Sequence, residues 1–229
     1  MTAVLFDLDG TLADTPGAIT AILRRMCPLA PPDRVAASVG RPLADVFAEL
    51  LVTPRDSPIV VAASAEFRAL FASDVVPRAA ELVFPAVREL LDRLADAGRP
   101  LAVVTSKSPA GAAEFLAAAR LDQYFPVTVG YVPEVPGKPA PHQALAAARA
   151  LGVDPAECVV VGDSTDDMKM ADAAGIPGIG VGYGVATLAE LRAAGAQHIA
   201  GTPEELFELL LPELSLSSAT VPSLPEVST

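Results

Sequence analysis

Short, unbroken apolar runs alternate with stretches of helical periodicity along most of this chain. Ala3–Phe6, Leu101–Thr105, Val127–Val129 and Cys158–Gly162 are runs rich in Val, Leu and Ile, and Gly178–Val181 is a fifth. Runs of this kind suit strands buried on both faces of a parallel sheet. Between them Val87, Leu90, Leu91 and Leu94 recur at helical spacing, with Gly98 as the stop. Ala112–Ala119, His142–Leu151 (closed by Gly152) and Asp166–Ala174 (closed by Gly175) predict three more helices. The alternation predicts βαβ units, hence a Rossmann-like α/β core with a parallel sheet and helices on both faces.

The segment 15–83 breaks this rhythm. It carries helical patterns only: Ile19, Ile22 and Leu23; Val46, Phe47, Leu50 and Leu51; Phe67, Leu70 and Phe71. It falls between the first and second core strands. It therefore reads as an inserted all-helical cap, with hinges near Pro16-Gly17 and in the stretch Val76 to Pro85. The core would comprise residues 1–14 and 84–212. Residues 213–229 are rich in Ser, Thr, Pro and Val and read as a flexible tail.

Composition narrows the picture. The chain has 229 residues, 52% of them hydrophobic and 19% charged, enough to bury a large core. No apolar run approaches the ~18 residues that cross a bilayer, and no leader segment is recognisable at the N-terminus. The net charge of −12 argues against a nucleic-acid partner. It also requires any phosphate site to carry its own local cations. Cys27 and Cys158 form no disulfide framework. Together these features lead to an expected cytoplasmic location and no membrane partner.

The candidate chemistry lies at the ends of the apolar runs. Val4-Leu5-Phe6 delivers Asp7-Leu8-Asp9-Gly10-Thr11-Leu12. In an extended strand, residues two apart share a side, so Asp7 and Asp9 are expected together at the carboxyl end of a buried strand. Open α/β sheets bind ligands there. Two crowded carboxylates call for a cation or a shared proton, and hard oxygen ligands suit Mg²⁺. Asp-Gly is also an ordinary turn signal. The second strand ends Thr105-Ser106-Lys107, whose hydroxyls suit phosphate oxygens or a helix cap. Lys138-Pro139 precedes a helix and offers a held positive charge. Gly162-Asp163-Ser164-Thr165-Asp166-Asp167 places an acidic cluster after another strand, where Asp163 can join Asp7 and Asp9. Ser164 and Asp166 are as well explained as helix caps.

These four motifs, in this order, resemble the haloacid dehalogenase superfamily of phosphatases. The likeness runs from Ala3 to Leu211, and the helical insertion resembles the family's helical cap type. Phe84-Pro85-Ala86-Val87 and the stretch Asp167 to Gly175 add a likeness to phosphoglycolate phosphatases. The resemblance implies that Asp7 is the nucleophile and Asp9 the general acid and base. It implies Mg²⁺ held by Asp7, Asp163 and the Asp9 carbonyl. It implies phosphate contacts from Gly10, Thr105, Ser106 and Lys138, and a supporting role for Asp167 beside Lys138 or metal-bound water.

Arg41, in Ser38-Val39-Gly40-Arg41-Pro42, is a candidate specificity residue or a plain surface charge. His142 reads as a helix N-terminal residue, and Gly180-Val181-Gly182-Tyr183-Gly184 as a site-edge turn. The expected activity is Mg²⁺-dependent hydrolysis of a small phosphomonoester, phosphoglycolate-like, through an aspartyl-phosphate. A phosphomutase of the same superfamily, a pyrophosphatase and a non-enzymatic binding protein are the alternatives. The expected assembly is a monomer or homodimer.

Overall fold

A computed structural model describes residues 2–211 of the chain. The tail 213–229 expected from composition lies outside the described residues. Among the described residues, six strands form one parallel sheet: β1 (Ala3–Phe6), β2 (Leu101–Val104), β3 (Val127–Val129), β4 (Cys158–Gly162), β5 (Gly178–Val181) and β6 (His198–Ala200). Their order is β3-β2-β1-β4-β5-β6. The sheet thus grows outward from β1 in both directions, with β2 on one side and β4 on the other.

That order decides where the chemistry goes. β1 is paired on both edges, Phe6 opposite Val103 of β2 and Val161 of β4. Every residue of β1, β2, β4 and β5 is buried. A strand covered on both faces has room for polar groups only where it ends. Asp7, Thr105 and Asp163 each follow the last residue of a strand. Parallel register brings these three ends to one edge of the sheet.

Helices cover both faces. Val87–Asp96 buries Val87, Leu90, Leu91 and Leu94. His142–Leu151 buries Ala144, Ala147 and Ala148, small residues that pack close to β2 and β3. Both this helix and Thr165–Ala174 stop at glycines with positive φ, Gly152 and Gly175. β6, with the helices Leu188–Ala193 and Pro203–Leu210, extends the sheet beyond the five expected strands. His198 is exposed on this three-residue edge strand, so no apolar run announced it.

Between β1 and β2 the chain is helical, as its periodicity predicts. Pro16–Met26, Pro32–Ala36, Leu43–Leu50 and Pro58–Asp74 pack on one another. Their buried residues Ile19, Leu23, Phe47, Phe67 and Phe71 are continuous with core residues such as Leu90 and Phe115. Phe71 meets Phe115 of the helix Pro109–Ala118 with ring centroids 6.1 Å apart.

One position in this insert is strained. Val52 has φ 51° just past the helix Leu43–Leu50, and its side chain is 86% exposed. A β-branched residue is poorly suited to that left-handed position, which glycine occupies freely. Val52→Gly is expected to stabilise the protein by about 1 kcal/mol, read as a higher denaturant midpoint. An unchanged or lower midpoint contradicts the strain.

Candidate active site

β1 stops at Phe6, and its last ladder contact passes to Asp7, whose N–H donates to the Val161 carbonyl. Asp7 is buried, and the Lys138 ammonium donates to its Oδ1 at 2.6 Å. Lys138 Nζ also donates to Asp167 Oδ1 at 2.5 Å. Asp167 sits in the first turn of Thr165–Ala174, where Ser164 and Asp167 form a reciprocal capping box. Its Oδ2 accepts from the Ser164 hydroxyl at 2.6 Å and from the Ser164 N–H at 3.1 Å. One carboxylate therefore caps a helix with one oxygen and anchors Lys138 with the other.

Asp163 completes the group from the end of β4. Its Oδ1 accepts from Thr11 Oγ1 at 3.1 Å, and its Oδ2 from the Val185 N–H at 2.8 Å. Two glycines make room for it. A Cβ at Gly10, which has φ 86°, would lie 2.1 Å from Asp163 Oδ2, and one at Gly184 would lie 2.2 Å from Asp163 Cβ. The glycine-rich turn after β5 thus does more than edge the site: it packs on Asp163 and hydrogen-bonds it. Nothing in residue type foretells a main-chain N–H donor, so sequence reasoning missed Val185.

Asp7, Asp163 and Asp167 offer oxygens within 4.8 Å of one another, all three residues buried. Burial pushes the Asp7 carboxyl up from 3.8 to about 7 against the pull of Lys138, and the charges of Asp167 and Asp9 push the same way. Burial, then Asp7 and Asp167, also holds Asp163 well above the usual carboxylate range. Burial alone would lower the Lys138 ammonium, but Asp167 and Asp7 outweigh it and the net shift is upward. Three buried carboxylates face one ammonium. That excess of hard, anionic oxygen fits a small divalent cation such as Mg²⁺.

The Asp9 side chain makes different contacts from that of Asp7. The strand has already ended, so strand alternation does not govern it. Its Oδ1 accepts from Thr15 Oγ1 at 2.5 Å, and its Oδ2 pairs with Lys107 Nζ at 2.9 Å. Lys107 in turn lies over the Phe71 ring, 3.9 Å from its centroid. The three carboxylates whose oxygens lie within 4.8 Å of one another are those of Asp7, Asp163 and Asp167, while the Asp9 carboxylate is engaged by Thr15 and Lys107.

The remaining expected residues separate as well. Thr105 is buried, its hydroxyl accepting from the Lys107 N–H at 3.2 Å and its carbonyl from Gln143 Nε2 at 2.8 Å. The Ser106 hydroxyl is buried without a hydrogen-bond partner among the described residues. Such a donor is open to an acceptor from ordered water or a ligand. Ser106, Lys107 and Asp9 line a cavity of about 330 Å³ between the sheet edge and the insert. Arg41 lines it too, but its guanidinium pairs with Glu49 at 2.7 Å. His142 is the first residue of its helix.

A family model for haloacid dehalogenase-like hydrolases matches residues 4–181. The chain belongs to this family. It is 41% identical over 223 residues to the probable phosphatase IndB of Dickeya dadantii, covering 95% of this chain and 97% of that one. It is 38% identical over 218 residues to a plasmid phosphoglycolate phosphatase of Cupriavidus necator, covering 92% and 94%. A β-phosphoglucomutase of Clostridium difficile shares the fold with a TM-score of 0.81 at 17% identity, covering 95% and 99%. The expectation of a phosphoric monoester hydrolase, phosphoglycolate phosphatase-like, stands with the first two relatives.

The trio of carboxylates makes the site's stability depend on both pH and metal. A carboxyl raised from 3.8 to about 7 stabilises the fold fully below its unfolded value and loses that contribution as pH rises through about 7. Without metal, stability should fall over that window. At 100 times its dissociation constant, Mg²⁺ should stabilise the protein by about 2.7 kcal/mol. The gain should be larger at pH 8 than at pH 5, where protons compete, and should shrink in Asp163→Asn. Equal melting-temperature shifts in wild type and variant contradict the assignment.

Proposed function

We propose that this chain is a Mg²⁺-dependent phosphatase that hydrolyses a small phosphomonoester through an aspartyl-phosphate on Asp7. The observation that carries this reading is Asp7 itself, a buried carboxylate at the end of the central strand, held by Lys138 and faced by Asp163 and Asp167. The named phosphatase relatives support the reaction class, and phosphoglycolate is the first ester to test.

A carboxylate approaching a phosphate dianion meets like-charge repulsion, so the site must first supply positive charge. Lys138 does so directly. Mg²⁺ held by Asp7, Asp163 and the Asp9 carbonyl would supply further neutralisation of the transferring phosphoryl group. Ser106 has a free hydroxyl to donate to a phosphoryl oxygen. Gly10 gives the backbone close approach to the same region, and Thr105 holds the Lys107 N–H and the Gln143 amide in place.

In the first half, an Asp7 oxygen attacks phosphorus and the bond from phosphorus to the ester oxygen breaks. Asp9 gives its proton to the departing alcohol. In the second half, water attacks the same phosphorus, Asp9 takes the water's proton, and the bond to Asp7 breaks. One carboxylate serves both proton transfers because the second half reverses the first. This reading is supported by Asp9 bordering the cavity where the alcohol would sit, while Asp7 lies among the charges.

With Mg²⁺, Asp7→Asn should abolish phosphate release and Asp9→Asn should slow it by about 10²–10⁴-fold, measured as free phosphate. Release that survives Asp7→Asn would falsify the nucleophile assignment. Conversion of a sugar 1-phosphate to its 6-phosphate without free phosphate would replace hydrolysis by a mutase reaction.

A further inference from the structure

The cavity beside Asp9 is ill-matched to a two-carbon acid. At about 330 Å³ it is far larger than the ~10–15 Å³ that houses a single water. Glycolate has five non-hydrogen atoms. The walls given by the insert are Ile19, Leu23, Val46, Phe67 and Phe71. Phe67 and Phe71 are stacked, with centroids 6.2 Å apart and planes at 23°.

Two of the three cations that line the cavity are also already paired. A substrate carboxylate needs a cation free to pair with it. Arg41 is taken by Glu49 and Lys107 by Asp9. Arg68, the third cation on the lining, is exposed to solvent. A largely apolar space, edged by aromatic side chains and with its Asp9-linked cation already paired, selects for an apolar ring over a second anion.

We propose that the alcohol released at this site carries an aromatic or heteroaromatic ring that fills the cavity between Asp9 and the Phe67–Phe71 wall. This rests on the phosphatase reading above and names its substrate class. The phosphoryl group would sit at Asp7 and Lys138, and the ring would lie under the insert. Hydrolysis is unchanged in atoms and electrons: water is consumed, and the ring-bearing alcohol and inorganic phosphate leave.

The test compares two unactivated esters, benzyl phosphate and phosphoglycolate, with the full chain and Mg²⁺. The expected kcat/KM ratio favours benzyl phosphate by about ten-fold, the scale of one well-stacked ring. Ala72, on the cavity wall, gives a second handle. Ala72→Leu narrows the space and should lower that ratio several-fold, with folding checked by its melting temperature. A ratio of one or below in the wild type, with phosphate released from phosphoglycolate, overturns this inference and leaves the phosphatase reading standing. Phosphate released from neither ester overturns both.

Discussion

The structure is organised around a shortage of positive charge. Oxygens of Asp7, Asp163 and Asp167 are brought within 4.8 Å of one another in a buried place, with Lys138 as the direct partner of Asp7 and Asp167. Burying carboxylates without full compensation is unfavourable by several kcal/mol per ion, so the surroundings must over-determine the arrangement. They do. β1 is pinned on both edges, Lys138 is gripped by two aspartates, and Asp167 is fixed by its own helix cap. Asp163 is hemmed by two glycines and two donors. A cation or a phosphoryl group entering here meets groups already oriented, and little reorganisation remains at the moment of reaction.

The same rigidity explains which parts of the molecule could be read from the residues alone. β1, β2 and β4 are short apolar runs buried on both faces, and each hands its polar residues to the same sheet edge. Period and run length therefore carried both the fold and the rough place of Asp7, Thr105 and Asp163. β6 was not legible because an edge strand with an exposed His198 needs no apolar run. Val185 was not legible because its contribution is a main-chain N–H. Gly184 was visible only as a glycine, while its reason is the nearness of Asp163, which is a property of the fold. The pairing of Lys107 with Asp9 joins residues 98 positions apart that no local pattern connects.

Asp7 and Asp9 show how far identical residues diverge once their neighbours differ. Both are buried and two positions apart. Asp7 lies among charges and is positioned by Lys138, as the nucleophile role proposed for it requires. Asp9 is held by the Thr15 hydroxyl and by Lys107, at the rim of an apolar cavity. A proton donor to a leaving alcohol belongs on the side from which the alcohol departs. β1 ends at Phe6, so strand alternation does not dictate how the two side chains are aimed, and each takes its own partners.

That division gives the insert a chemical as well as a steric role. Lys107 follows the β2 strand end, yet its ammonium rests on Phe71 of the insert and on Asp9 of the core. Any movement of the helix Pro58–Asp74 would remove the aromatic face from this cation and expose the Asp9 pair to water, weakening it as the local dielectric rises. With the helix in place, Asp9 and the apolar wall form one surface. In the proposed reaction, the residues that would shape the alcohol's space and the residue that would exchange its proton meet at a single ammonium, so a substrate that left the cavity unfilled would also leave that acid wet.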